Sequence, residues 1–557
     1  MENYSAIDIL WLLVAAILIF MMQPGFAMLE TGMTRAKNAG NVMMKNLMDF
    51  VIGSLAFWLI GYRIFSNGSY VENGYPSNLY LMYQVMFCAT AATIVSGAMA
   101  ERTKLAAYII YSFCISAFIY PVEAHWIWGN GWLANIRIGT AVGFLDCAGG
   151  TVVHTVGGIA AFLGAVFLGP RIGKYDKQKK SIAIPGHSIT LATLGIFLLW
   201  FAWFGFNISS IRGISTAQKI EAASGIFIAT NLCAASSAAA TFFLSWKRYH
   251  KPDIAMTLNG VLGGLVASTA GCNVIEPWAA VLIGAIAGFL VVYGVEILDS
   301  RLHVDDPVGA CVVHGVCGIW STLAVGLFHC ESGLLITGDA SRFLVQVIGI
   351  ISVSLFVTVT MGILFLIIRK CIGLRVDERE EITGLDYGEH ALKSAYNDFM
   401  FYQPEQVPVQ KAAIVHSTAA IPRLIEDDVS EYGRISSVVI ICKETKLEGL
   451  KEALNNIGVM GITVSRVMGC GIQKGNTGYY RGTQIGASLL PKIRVEVVVS
   501  KIPVKLVVDT VREILYTGHI GDGKIFVYDV QNVVKVRTGE QGVKALQDPE
   551  SYQELEF

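Results

Sequence analysis

The sequence predicts an α-helical polytopic membrane protein of eleven transmembrane helices, built from inverted five-helix repeats and followed by a C-terminal α+β domain. Three observations predict it. About eleven apolar runs are long enough to cross a bilayer. A short pattern, Asp placed eight residues before His, occurs twice, about 160 residues apart. Near residue 370 the apolar character ends and a charged, then strand-forming, composition takes over.

The composition fits the first of these. Of 557 residues 54% are hydrophobic and only 15% charged, well short of the charge of a soluble domain. A net charge of −1 gives no support for a nucleic-acid partner. The eleven cysteines are scattered and form no C-x-x-C pair, so neither a disulfide framework nor an intrinsic metal site is expected. Met1-Glu-Asn-Tyr-Ser-Ala6 has no basic stretch before the first apolar run, which is therefore expected to span rather than to be a cleaved signal.

The expected spans are 8–29, 42–62, 79–99, 105–122, 148–169, 188–206, 222–245, 254–272, 277–298, 308–328 and 343–368. Their connections alternate in charge. One set carries Arg35 and Lys37, Arg102 and Lys104, Arg171 to Lys180, Lys247 to Lys251, and Arg301; the other has only Arg63, Arg137, Arg212, Lys219 and Arg342. The positive-inside rule puts the rich set in the cytoplasm, with the N-terminus outside and the C-terminal domain inside a plasma membrane. Five helices per repeat is an odd number, so the two halves have opposite topology.

The repeated pattern reads Asp146-Cys-Ala-Gly-Gly-Thr-Val-Val-His154 and Asp306-Pro-Val-Gly-Ala-Cys-Val-Val-His314. An ionisable group inside a membrane helix is costly and usually faces a cavity or pathway. A lone histidine would more simply be a packing residue bonded to a carbonyl. Two copies in opposed repeats favour a shared site near the midplane. The paired glycines at 149–150, 157–158 and 263–264 read as helix-packing positions.

Beyond the membrane part, residues 371–396 form a charged region around Arg375 to Glu381. Residues 397–433, with Pro404, Pro408, Pro422 and the acidic run Glu426-Asp427-Asp428, read as a linker. From 434 to 547 the expected order is strand Ile435–Cys442, helix Leu447–Ile457, strands Ile462–Met468 and Ile493–Val499, helix Val504–Leu515 and strand Lys524–Val530, before a tail at 548–557. That β-α-β-β-α-β order is ferredoxin-like. A long Gly-rich excursion, Gly469 to Pro491, separates its second and third strands.

Residues 5–395 resemble the Amt/Mep/Rh ammonium transporters. The resemblance rests on Gly25-Phe-Ala-Met-Leu-Glu-Thr-Gly32, Arg35-Ala-Lys-Asn38, Gly97-Ala-Met-Ala-Glu-Arg102, Trp203-Phe-Gly-Phe-Asn207 and the two Asp…His segments; Gly384-Leu-Asp and Glu389-His resemble the family's C-terminal region. It implies a homotrimer with one pore per protomer. It implies ammonium recruitment by Phe87, Trp128 and Ser210, a gate of Phe87 and Phe206, and a twin-His pair of His154 and His314, with Asp146 as structural support. Transport would need no cofactor, and methylammonium is a plausible surrogate substrate. In this scheme ammonium is deprotonated, ammonia and proton cross separately, and the net movement is electrogenic.

Residues 434–547 resemble PII signal-transduction proteins of the GlnK-like kind, through Thr517-Gly-His-Ile-Gly-Asp-Gly-Lys-Ile-Phe526, Gly471-Ile-Gln-Lys-Gly475, Tyr480-Arg-Gly482 and Leu490-Pro-Lys492. The resemblance implies ADP or ATP at Gly471, Gly521, Gly523, Lys524, Lys535 and Arg537, and 2-oxoglutarate with Mg-ATP at Gln473 and Lys492. Arg481, at the tip of the T-loop, becomes the candidate pore plug. Ile485 stands where uridylylated relatives carry tyrosine, so control by that modification is not expected. A flexible linker of about 38 residues spans roughly 35 Å and would make docking intramolecular. The competing reading is an ammonium sensor that passes little flux and signals through the C-terminal domain. No nucleophile–base arrangement suggests an enzyme.

Overall fold

The computed structural model describes residues 5–68, 76–392, 395–396, 435–459, 461–469, 478–480, 483–485, 490–518 and 521–546. It divides into two units, Met1–Tyr396 and Asn397–Phe557.

Among the described residues, ten helices of the first unit are long and apolar enough to span a membrane: α1 Ala6–Met33, α2 Ala36–Phe65, α3 Ser77–Met99, α4 Leu105–Asn135, α5 Gly150–Leu168, α6 Ile189–Ile211, α7 Ala217–Tyr249, α9 Pro277–Ser300, α10 Cys311–Phe328 and α11 Ser341–Cys371. The helix α8, Ile254–Thr269, falls between α7 and α9 and makes the eleventh. Local chemistry sets their starts. Ser5 and Asp8 close a capping box on α1. Thr216 caps α7, Asp253 caps α8, and Pro277 occupies the first turn of α9, where its missing N–H costs nothing. Helix α8 is shorter than the sequence suggests, with 16 residues, about 24 Å of rise. It stops at Thr269 because the segment before α5 takes over its terminal carbonyls: Cys147 N–H donates to Ala270 O (2.9 Å) and Ala148 N–H to Thr269 O (3.2 Å).

Burial separates the helices by role. In their most apolar windows α3 is 83% buried and α5 and α10 are 72%, against 28% for α11. Phe197, Phe201, Phe243, Leu355 and Ile363 present apolar side chains outward, as a lipid-facing surface requires. Helices α5 and α10 lie five crossings apart and cross at glycine. A Cβ on Gly158 would stand 2.1 Å from Gly315 N. Both helices open with a π-helical turn, Gly150–Thr155 and Cys311–Val316, and each turn carries one of the paired histidines. π-Turns are rare and concentrate at functional sites.

Residues 371–392 are woven into the ends of the spans. Asp386 accepts the N–H groups of Gly40 (3.0 Å) and Asn41 (2.7 Å) at the start of α2, and Glu389 accepts that of Leu105 (3.0 Å) at the start of α4. Carboxylates at helix N-termini satisfy orphan donors and meet the favourable end of the dipole. Nearby, Arg171 forks onto Asp305 (2.8 and 2.9 Å) and reaches Glu101 (3.3 Å). Burial alone would raise the Asp305 carboxyl, but its Arg171 and Arg102 neighbours hold it down to about 2.

The second unit carries β1 Ile435–Cys442, α12 Leu447–Asn456, β2 Thr463–Gly469, β3 Leu490–Val499, α13 Val504–Leu515 and β4 Lys524–Val530. The sheet order is β2-β3-β1-β4, all antiparallel, which is the ferredoxin-like arrangement. Val438 pairs with Val497 and Val527, and Ile440 with Val495 and Ile525. Their inward faces pack on Leu450 and Leu454 of α12 and on Val507 and Val511 of α13. A short hairpin, Gly478–Tyr480 with Thr483–Ile485, lies within the excursion between β2 and β3.

Candidate functional site

Helices α1, α3, α4, α5, α6 and α10 bring a column of rings together. Trp128 meets Phe87 edge-on at 5.5 Å between centroids, and Phe87 lies 4.5 Å from Phe206. Phe206 is 5.7 Å from His154, His154 5.2 Å from His314, and His314 5.8 Å from Phe26. Phe87, Phe206 and His154 are each at most 1% exposed.

At the centre, His154 Nδ1 and His314 Nδ1 are 3.2 Å apart. Two neutral imidazoles at that distance need one Nδ1 to donate and the other to accept. His154 is held flat against Trp203 (5.0 Å, 14° between planes), whose indole N–H donates to Thr269 Oγ1 (3.0 Å). Its Nε2 is buried with no hydrogen-bond partner among the described residues.

The Asp eight residues earlier explains how the histidines are placed. Asp146 accepts four backbone N–H groups, from Gly149 (2.9 Å), Gly150 (2.7 Å), Thr151 (2.8 Å) and Val152 (2.9 Å). Asp306 does the same for α10, accepting from Gly309 (2.9 Å) and Cys311 (2.7 Å). Each carboxylate satisfies the orphan amides of its helix and fixes where that helix begins. Trp128 donates its indole N–H to Asp146 O (2.8 Å), tying the outer ring of the column to the same segment.

Ser210 stands beside this segment. Its hydroxyl donates to Asn207 O (2.7 Å) and accepts from Cys147 Sγ (2.9 Å). Cys147 in turn lies 3.3 Å from Cys272 Sγ. On the other side of the histidines, a cavity of about 10 Å³ joins His314 to Glu30, Asn259 and Val308. That is room for about one water. Glu30 Oε2 accepts from Asn46 Nδ2 (2.9 Å) and Ser96 Oγ (2.7 Å).

The Ammonium Transporter Family model matches residues 10–396. The chain belongs to that family. It is 42% identical over 427 residues to ammonium transporter Amt2 of Archaeoglobus fulgidus, covering 72% of this chain and 90% of the relative. It is 39% identical over 425 residues to ammonium transporter 1 member 3 of Solanum lycopersicum, covering 69% and 92%. Among solved structures, one described as "Sensor Amt Protein" superposes with a TM-score of 0.64 at 35% identity, covering 69% of this chain and 98% of that one. Mep2 of Candida albicans superposes with a TM-score of 0.61 at 26% identity, covering 68% and 88%. The model for nitrogen regulatory protein P-II matches residues 435–540, so this transporter-family chain carries a P-II domain.

In the P-II domain the turn before β4 is built on glycine. Gly521 and Gly523 have φ of +106° and +126°, and a Cβ on Gly523 would lie 2.3 Å from Ile441 O. Asp522 closes the turn by accepting from Thr517 N–H (2.7 Å), Gly518 N–H (3.1 Å) and the Thr517 hydroxyl. Lys492 on β3 reaches Gly521 O at 3.4 Å, and Lys524 opens β4. Burial and the neighbouring Lys443 lower the Lys492 ammonium. Lys535 lies 3.9 Å from Glu540, and Arg537 is exposed. Lys492 and Lys524 beside a Cβ-free turn suit a polyphosphate anion. Gly471, Gln473 and Arg481 lie outside the described residues.

Sequence reading left Trp203, Glu30, Cys147 and Cys272 without a role. Trp203 and Glu30 sit inside the Trp203–Asn207 and Gly25–Gly32 motifs, and Glu30 carries the ordinary signal of an ionisable residue in a span. The cysteines are 125 positions apart, and nothing local connects them.

Proposed function

We propose that the chain transports ammonium across the plasma membrane, N-terminus outside, as a homotrimer with one pore per protomer. The observation that carries this is the buried histidine pair at 3.2 Å, closed off by the Phe87–Phe206 contact. Ammonium is recruited at Trp128, Phe87 and Ser210, where aromatic faces attract a cation by about 0.5–2 kcal/mol. A charged ion pays heavily to pass the apolar gate, so it is deprotonated there. Ammonia passes the phenyl rings, and the proton moves along His154 and His314. Glu30, which shares the cavity beyond His314, is the next ionisable group on the way out. Potassium carries no removable proton and finds no ligands in the dry section.

The P-II domain answers to ADP, or to Mg-ATP with 2-oxoglutarate. Lys492, Lys524, Lys535 and Arg537 would hold phosphates and carboxylates beside the Gly521–Gly523 turn, with Gly471 and Gln473 from the excursion. A bound nucleotide supplies polyanionic charge. The chain's own part is to position these cations and so reposition Arg481 as the plug at the cytoplasmic end of the pore.

A second reading, an ammonium sensor of little flux, draws support from the 35% identity to the structure described as "Sensor Amt Protein". Ammonium-evoked current from the full chain in liposomes separates the two. Current that changes between no nucleotide, ADP, and Mg-ATP with 2-oxoglutarate, and loses that response in Arg481→Ala, supports a regulated transporter. A folded trimer that binds ammonium without current supports the sensor.

A further inference from the structure

Cys147 and Cys272 come from separate segments, yet their sulfurs are 3.3 Å apart. Neither is placed there by chance of a floppy loop. Cys147 N–H donates to Ala270 O and Ala148 N–H to Thr269 O, which docks the Cys147 segment onto the end of α8, two residues from Cys272. The Trp128 indole and the Asp146 cap hold the same segment from its other side. Cys147 is partly exposed and Cys272 buried.

The pair also continues into Ser210. Cys272 S–H points to Cys147 Sγ, Cys147 S–H donates to Ser210 Oγ at 2.9 Å, and Ser210 O–H donates to Asn207 O at 2.7 Å. The Ser210 proton is therefore committed to Asn207, and one acceptor site on its oxygen is taken by a thiol.

We propose that Cys147 and Cys272 form a redox-active dithiol at the mouth of the pore, which closes to a disulfide and thereby changes ammonium recruitment at Ser210. A disulfide needs about 2.05 Å between sulfurs, a closure of about 1.2 Å from the present contact. The Cys147 thiolate attacks one sulfur of a low-molecular-weight disulfide and expels one thiolate. The Cys272 thiolate then attacks Cys147 Sγ of the mixed disulfide and expels the second. Two thiol protons go to solvent, and the two electrons leave with the reduced small-molecule thiols. On the orientation proposed above, this end faces outside the cell, where such exchange runs toward oxidation. Once oxidised, Cys147 has no proton to give, and both acceptor sites of the Ser210 oxygen, rather than one, are open to ammonium. The link to ammonium rests on the recruitment reading of Ser210; the thiol chemistry stands apart from it.

The test uses the full chain in liposomes, treated with oxidised glutathione and then with dithiothreitol. Mass spectrometry of the digested protein is expected to show the Cys147–Cys272 cross-link, reversed by reductant. Ammonium-evoked current is expected to show a half-saturating concentration about 2- to 10-fold lower in the oxidised protein, the effect of one freed acceptor. Cys272→Ser is expected to lose both the cross-link and the shift. A folded protein in which no such cross-link forms overturns the dithiol. A cross-link that leaves half-saturation unchanged overturns its coupling to recruitment. Absence of current in the reduced protein would instead count against transport itself, while the cross-link is still read by mass.

Discussion

His154 and His314 face each other through Nδ1, 3.2 Å apart, from two helices capped by equivalent aspartates, each eight residues before its histidine. The shared atom type is informative. With both Nδ1 atoms turned to each other, each Nε2 is directed away from the pair, so a proton that arrives at one ring can leave from the other.

Asp146 should be a stability residue as well as a placement residue. Asp146→Ala leaves four amides without their acceptor. A loss of about 1–3 kcal/mol is expected from the buried, unsatisfied donors. Thermal unfolding of the purified protein checks this, and Asp146→Asn should recover part of the loss, since one carbonyl oxygen remains.

The crossing of the two repeats admits no side chain. Gly158→Ala puts a Cβ 2.1 Å from Gly315 N, backbone that cannot turn aside as a side chain could. The helices must separate next to His314. A cost of about 1–3 kcal/mol and a marked fall in current are expected, whereas Gly362→Ala, where a Cβ would meet nothing within 4 Å, should change neither.

Glu30→Gln tests the exit. The amide can still receive the Ser96 hydroxyl and keeps the side-chain volume, but it cannot take up a proton. Current is expected to fall about 100-fold or more, the scale of a lost proton-transfer group, while binding of methylammonium persists. Unchanged current would remove Glu30 from the path.

Acid should loosen the Arg171–Asp305 clamp at the ends of the spans. Asp305 titrates at about 2 rather than 3.8, so its ionised form is favoured in the folded protein. Its stabilisation is complete above about pH 4 and is lost as pH falls toward 2, amounting to about 2 kcal/mol. Thermal unfolding between pH 6 and pH 3 should show the fall, and Asp305→Asn should flatten it.

The P-II turn is equally exacting. Gly523→Ala meets Ile441 O at 2.3 Å, with φ at +126°. Loss of ADP and ATP binding by calorimetry is expected, with ammonium current retained in the absence of nucleotide.

Much of this architecture was legible in the sequence, for physical reasons. Span length and the repeated Asp…His spacing both follow from how a bilayer treats polar groups. Strand and helix limits such as Ile435–Cys442 and Val504–Leu515 agree with the observed elements because the first is rich in β-branched residues and the second repeats its apolar residues at helical spacing. What escaped depends on contacts between distant segments. The early end of α8 comes from carbonyls shared with Cys147 and Ala148. The π-turns at both histidines leave no mark in hydropathy. The Trp203–His154 stack and the Cys147–Cys272 contact arise only once α6, α8 and the segment before α5 are packed.

The measurement that bears most directly on transport through the histidine pair is ammonium-evoked current in liposomes from the wild type and from His154→Ala, both checked as folded trimers. The account predicts ammonium-dependent, potassium-insensitive current in the wild type and its loss in the variant. Ammonium-selective current of the same size in His154→Ala would contradict it.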